Sequence, residues 1–145
     1  MRCIEDICVF YKKAPTYNPQ GLKLLKKQKV QKCKKGDGGE LWAMSSQKSE
    51  YIRRFTNYPK HLLEFANEAA SNKNRLHPTQ KPVALLEYLI NTYTKEGETV
   101  LDNCMGSGST GIACINTKRR FVGIELTDRY FYIAKERIER ATSKT

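Results

Sequence analysis

Apolar positions recur at helical spacing in one stretch of this chain more clearly than anywhere else. Pro82, Leu85, Leu86, Leu89, Ile90 and Tyr93 fall at i, i+3, i+4, i+7, i+8 and i+11, which predicts an amphipathic helix. Pro82 suits its first turn, where a missing N–H costs nothing, and Gly97 is the expected stop. Val100-Leu101-Asp102 then reads as the end of a short strand, two apolar residues and an acid. A glycine-rich turn follows, Gly106, Gly108 and Gly111, with a helix starting near Thr110 and running to Ile115. Phe121–Glu125 is a second short apolar run ending in an acid. Thr127 is placed as N-cap of a last helix, Asp128 lies in its first turn, and Ile133, Ala134, Ile138 and Ala141 form its apolar stripe.

The first half is less periodic. Ile4–Tyr11 holds Ile4, Ile7, Val9, Phe10 and Tyr11 and predicts a strand. Thr16–Gly21 is turn-rich. Gly36-Asp37-Gly38-Gly39 predicts a turn from which Glu40–Met44 returns as the second strand of a hairpin. Ser71–Arg75 reads as a linker. No internal repeat is present.

Charge divides the chain in the same place. The net charge is +11, and residues 1–75 hold 16 Lys/Arg against 7 Asp/Glu, whereas residues 76–145 hold 10 against 8. Seven lysines lie between Lys23 and Lys35. Lys26, Lys27, Lys34, Lys35, Arg53 and Arg54, interleaved with Phe55 and Tyr58, are the candidate contacts to a polyanion: cations for phosphates, planar groups for bases. The 39% hydrophobic and 28% charged content fits a folded, soluble protein. No apolar run approaches membrane-spanning length, and the first residues do not form a signal peptide. Five cysteines, Cys3, Cys8, Cys33, Cys104 and Cys114, make no C-x-x-C pair, and two histidines stand far apart. This predicts reduced thiols in the cytoplasm and no metal site.

The candidate chemistry lies in the glycine turn. Gly106, Gly108 and Gly111 match G-x-G-x-x-G, and Glu125 follows 19 residues after Gly106. Glycines there permit a sharp turn and a ligand against main-chain N–H groups. An acid at the tip of the second strand accepts hydrogen bonds from ribose hydroxyls. No Gly-Lys-Ser/Thr follows, which excludes a phosphate-gripping loop. The glycine spacing leaves a dinucleotide and an adenosyl cofactor such as S-adenosylmethionine both open.

Taken together, His77-Pro78-Thr79-Gln80-Lys81-Pro82, Val100 to Gly111, Gly123-Ile124-Glu125 and Tyr130…Ala134…Arg137-Ile138 resemble the C-terminal part of S-adenosylmethionine-dependent DNA amino-methyltransferases. Those enzymes modify N6 of adenine or N4 of cytosine. Glu5–Lys13 with Pro15–Gln20 looks like the strand that precedes the family's recognition region. The resemblance implies an α/β fold: an incomplete Rossmann-like class I methyltransferase sheet with an inserted basic recognition region. Residues 1–15 would give a strand of that sheet, 16–75 the recognition region and 76–145 the cofactor part.

It decides for S-adenosylmethionine over NAD. It implies that Gly106, Ser107, Gly108, Ser109 and Thr110 wrap the methionine end, that Asp102 lies near the ammonium, and that Glu125 takes the ribose hydroxyls. Thr79, Gln80 and Lys81 would sit beside the cofactor from the other side, with His77 ordering the Pro-flanked turn. Asn103 and Cys104 stand where the family often has Pro and Phe.

The family's catalytic loop has the form Asp/Asn/Ser-Pro-Pro-aromatic and holds the target amine of a base flipped from the stack. Here the five prolines, Pro15, Pro19, Pro59, Pro78 and Pro82, are all separated, so no catalytic residue is assigned. The expectation is the cofactor-binding and DNA-recognition portion of an adenine-N6 enzyme, inactive alone. It would be a truncated reading frame or one half of a split enzyme. A bare sheet edge would then be covered by a second chain with the catalytic half or by a homo-oligomer. The competing readings are a non-catalytic remnant that binds DNA or a partner, and another adenosyl or NAD enzyme sharing the glycine turn.

Overall fold

The computed structural model describes residues 5–32, 50–60, 62–66 and 76–143. It divides into two compact units, Pro19–His61 and the remainder, Met1–Asn18 with Leu62–Thr145.

The smaller unit is an antiparallel hairpin of β1 (Lys23–Lys32) and β2 (Glu50–Thr56). Val30 lies opposite Ile52 and Lys29 opposite Arg53. The register then breaks: Leu24 faces Phe55, so Leu25–Gln28 on β1 stand against Arg54 alone. This bulge carries Lys26, Lys27 and Gln28, all exposed, on the half-buried Leu25. The strand that pairs with β1 is Glu50–Thr56. The predicted turn at 36–39, strand at 40–44 and linker at 71–75 lie outside the described residues.

The larger unit is α/β. Its elements in chain order are α1 (Val83–Tyr93), β3 (Thr99–Asp102), α2 (Ser109–Asn116), β4 (Arg120–Gly123) and α3 (Asp128–Thr142). Strands β3 and β4 pair in parallel from Thr99↔Arg120 to Asp102↔Gly123. The ladder runs on past both ends: Ile124 N–H donates to Asp102 O (2.9 Å) and Met105 N–H to Ile124 O (3.0 Å). The glycine turn is thereby stitched to the strand tips. Alternation puts Val100 and Phe121 inward, packed with Val83 and Leu86 against a core of Ile90, Ala113 and Cys114. The opposite face shows Leu101, Val122 and Ile124, 63%, 48% and 54% exposed, although parallel strands ordinarily have both faces covered.

Two expectations change here. Ile4–Tyr11 is not a strand over its described residues 5–11; Phe10 is 90% exposed. β-branched and aromatic composition makes a strand only where a neighbour supplies the ladder. The predicted helix starts as expected, with Pro82 at the N-cap, but ends at Tyr93 rather than Gly97.

Tertiary partners stop it. Thr94 turns extended (φ −134°). Asn18, 73 residues away from Asn91, donates from Nδ2 to Asn91 O (3.3 Å) and Thr94 O (3.2 Å), and its N–H to Thr92 O (2.7 Å). Arg119 donates to Thr94 Oγ1 (3.0 Å) and Thr94 O (2.8 Å). The terminal carbonyls are thus satisfied by groups distant in sequence, the Asn18 amide and backbone N–H and a cation at the negative helix end. Gly97, at φ +81°, serves the turn into β3. The outer face of α1 holds Tyr17 against Tyr93 and Phe65 edge-on to Tyr88, both at 6.1 Å between ring centroids.

Candidate functional site

The site is built on the β3 tip, the turn to α2 and the β4 tip. Asp102 ends β3, and its carboxylate is already engaged: Oδ1 accepts the Cys104 N–H (3.1 Å) and Oδ2 the Thr110 hydroxyl (2.6 Å). The acid closes the turn onto the first turn of α2 and leaves unused lone pairs outward.

Between these anchors the backbone turns twice through left-handed conformations, at Gly106 (φ +53°) and Gly108 (φ +79°). A Cβ on Gly108 would lie 2.9 Å from Ala134 Cβ, so α3 packs where a side chain would otherwise be. Arg137, one turn further along the same face, donates to Ser107 O. Met105 to Ser109 are buried. Ser109 opens α2, and its Oγ is buried without a hydrogen-bond partner.

Glu125 closes the far side. Oε2 accepts the Gly106 N–H (2.9 Å) and Oε1 the Thr127 N–H (3.0 Å). The Thr127 N–H first, and then the Gly106 N–H, hold this carboxyl below the ordinary carboxylate range, with a contribution from nearby His77. Its charge is therefore maintained at neutral pH.

The segment before α1 comes in beside the turn. Gln80 Oε1 accepts from Ser107 Oγ (3.2 Å). Thr79 donates its N–H to His77 Nδ1 (3.2 Å), its hydroxyl is hydrogen-bonded to the same nitrogen (3.1 Å), and the His77 ring lies edge-on to Tyr130 at 4.3 Å. Lys81 takes a different partner: its Nζ is 2.6 Å from Glu5 Oε2 in an exposed ion pair, an interaction worth about 0–1 kcal/mol.

Gln80, Asp102, Gly106, Ser107, Thr110 and Glu125 are thus linked to one another in pairs, and Gly108 and Ser109 lie inside the same turn. Thr79 reaches it through His77. The sequence reading missed the Glu5 partner of Lys81 and the bond from Arg137 to Ser107. The signal for Arg137 was present, because it shares the helical face of Tyr130, Ala134 and Ile138.

Among the basic candidates, Lys26 and Lys27 are exposed on the β1 bulge and Arg54 is exposed on β2. Arg53 is half-buried and donates from Nε to Phe55 O (3.2 Å). Lys34 and Lys35 lie outside the described residues.

The donor set fits a ligand with a zwitterionic end and a vicinal diol. Two carboxylates retain free lone pairs, a helix N-terminus faces the turn, and a buried hydroxyl lacks a partner. Among the described residues, no three His, Cys, Asp or Glu gather to hold a metal, and no helix is long and apolar enough to cross a membrane.

Comparison with known proteins gives the same direction. A family model described as DNA methylase, covering N6 and N4 methyltransferases, matches residues 2–136. The chain is 42% identical over 82 residues to type II methyltransferase M.HpaI of Haemophilus parainfluenzae, covering 56% of this chain and 26% of that protein. It is 49% identical over 63 residues to type II methyltransferase M2.DpnII of Streptococcus pneumoniae, covering 43% and 24%. The crystal structure of an M1.HpyAVI–SAM complex aligns over 57% of this chain and 41% of that one, at 42% identity and a TM-score of 0.50. The chain spans about a quarter of the length of these two curated relatives.

Proposed function

Because the chain belongs to the DNA methylase family, we propose that it is the cofactor-binding and DNA-recognition portion of a site-specific DNA methyltransferase, acting on adenine N6 in the cytoplasm. The observation that carries this is the turn from Asp102 to Thr110, closed by Glu125 through the Gly106 N–H. S-adenosylmethionine is the ligand that fits its chemistry, and when bound it supplies a methyl group on a sulfonium.

The roles then follow from what each group already does. Glu125, held ionised by two N–H donors, keeps lone pairs for the ribose hydroxyls. Asp102, fixed by Thr110 and Cys104, offers its remaining lone pairs to the ammonium. The buried Ser109 hydroxyl and the amides opening α2 are donors for the carboxylate. Gln80, bonded to Ser107, bounds the site from the α1 side together with Thr79, and Lys81 lies next to it with its charge balanced by Glu5.

The hairpin supplies the DNA contact. Lys29 and Arg53 face each other across the ladder, a like-charge pairing that costs free energy in isolation and is relieved by an anion. Lys26, Lys27 and Arg54 extend the basic surface, and Lys34 and Lys35 fall within the same run of lysines in the sequence.

No Pro-Pro-aromatic loop occurs in these 145 residues, so the group that holds the target amine must come from outside them. The exposed apolar face of Leu101, Val122 and Ile124 supports a partner carrying the catalytic half, covering the sheet as it supplies the loop. Without that partner the chain is inactive.

Calorimetric titration with S-adenosylmethionine and with NAD tests the cofactor, and binding of NAD alone would overturn it. Adding a polypeptide that carries the Pro-Pro-aromatic loop, with DNA, then tests the activity by mass spectrometry. N6-methyladenine is the expected product; N4-methylcytosine would correct the target. Cofactor binding with no methylated base would favour a non-catalytic remnant.

A further inference from the structure

His77 lies where three stretches distant in sequence meet, and no role in the proposed chemistry requires it there. A Cβ built on Gly106 would lie 3.4 Å from His77 Cδ2, so the imidazole faces the apex of the turn with room for no more than a methyl group between them. The same ring is edge-on to Tyr130, in the first turn of α3, at 4.3 Å. On its other side Nδ1 takes both the N–H and the hydroxyl of Thr79. Gly106 in turn gives its N–H to Glu125, and Gln80 next to Thr79 accepts from Ser107.

We infer that His77 is a positioning residue that fixes the spacing between the Thr79–Gln80 segment and the Gly106–Glu125 bond, and so sets the width of the cofactor site. The ring is the spacer, packed on Tyr130 and facing Gly106. Nδ1 is the tether, holding Thr79. The two parts are separable by substitution. His77→Phe keeps a flat ring against Gly106 and Tyr130 and removes the acceptor. His77→Asn keeps a short acceptor for Thr79 and removes the ring. His77→Ala removes both.

The assignment rests on the cofactor reading above, so two measurements are needed that fail independently. In the first, S-adenosylmethionine is titrated into the full chain and the three variants. His77→Ala should weaken binding by about tenfold, the scale of one lost positioned hydrogen bond with its packing, and Phe and Asn should each recover part of that loss. In the second, native-state amide hydrogen exchange is followed without cofactor. His77→Ala should speed exchange at Thr79 and Gly106 while the α1 interior, around Leu89 and Ile90, keeps its protection.

Wild-type chain that does not bind the cofactor would sink the cofactor reading and leave the exchange result to decide the positioning role. Unchanged exchange at Thr79 and Gly106 in His77→Ala would overturn that role, as would His77→Ala binding as tightly as a wild type that binds. Uniformly faster exchange, α1 included, would mean that His77 supports the fold as a whole, and would also overturn it.

Discussion

Glu125 Oε2 accepts the backbone N–H of Gly106 at 2.9 Å, joining the tip of β4 to the apex of the turn that follows β3. The acid is therefore a part of the turn's architecture before it is a partner for any ligand. Its other oxygen takes the Thr127 N–H, so one side chain also ties the turn to the start of α3.

Replacing Glu125 by Gln should weaken S-adenosylmethionine binding several-fold, because the amide offers one acceptor where the carboxylate offers two and presents a donor to an N–H group. Titration calorimetry reads this directly, and circular dichroism of the same sample separates local loss from unfolding.

The lowered pKa of Glu125 gives a pH signature. Its stabilising contribution is fully present above the unfolded carboxyl value, 4.5, and is lost as pH falls through the lower folded value. Denaturant melts at falling pH should show the wild type losing stability across that window and Glu125→Gln losing less.

Gly108→Ala and Gly97→Ala separate crowding from backbone strain. Both glycines are left-handed, at φ +79° and +81°, but the new Cβ at 108 meets Ala134 at 2.9 Å whereas nothing lies within 4 Å at 97. The expected costs are roughly 2–4 kcal/mol at 108 and about 1–2 kcal/mol at 97, measured by urea unfolding. Equal costs would mean that α3 does not press on the turn.

Alkylation should rank the cysteines. Cys8 and Cys104 are exposed, whereas Cys114 is fully buried in the core and burial pushes its thiol up to about 11. Iodoacetamide followed by peptide mapping should label Cys8 and Cys104 first, with Cys114 reacting only as the α/β unit opens.

Charge reversal at Lys26, Lys27 or Arg54 should weaken DNA binding, and each lost phosphate contact should lower the salt slope by about 1. Arg53→Glu disturbs the hairpin as well, since its Nε is bonded to Phe55 O, so it should also lower the unfolding midpoint. Unaltered binding across all four would remove the hairpin from the DNA interface.

What the sequence made legible is what short-range pattern controls. The stripe from Pro82 to Tyr93, the glycine turn and the Thr127-Asp128 start of α3 are each written within a dozen residues. The end of α1 was not, because Asn18 and Arg119 satisfy its carbonyls from far along the chain. Glu5–Tyr11 has strand composition but no ladder partner among the described residues, which composition alone does not register. Asp102 and Glu125 stood out as acids at strand tips, yet their bonds to Thr110 and Gly106 depend on how the turn closes. His77 facing Gly106 is likewise an approach across 29 positions, with no periodic trace.

The grip of α1 on Tyr17, Asn18 and Phe65 bears on the length of the chain between them. Tyr88 and Tyr93 are five residues apart on one helix, about 8 Å along its axis, so the chain leaves and re-enters the α/β unit at nearly the same place. A segment whose ends are pinned that close can change length at a loop-closure cost of only about 0.6 kcal/mol per doubling. The span from Pro19 to His61 can therefore lengthen or shorten while the packing of α1 with Tyr17, Asn18 and Phe65 stays as it is.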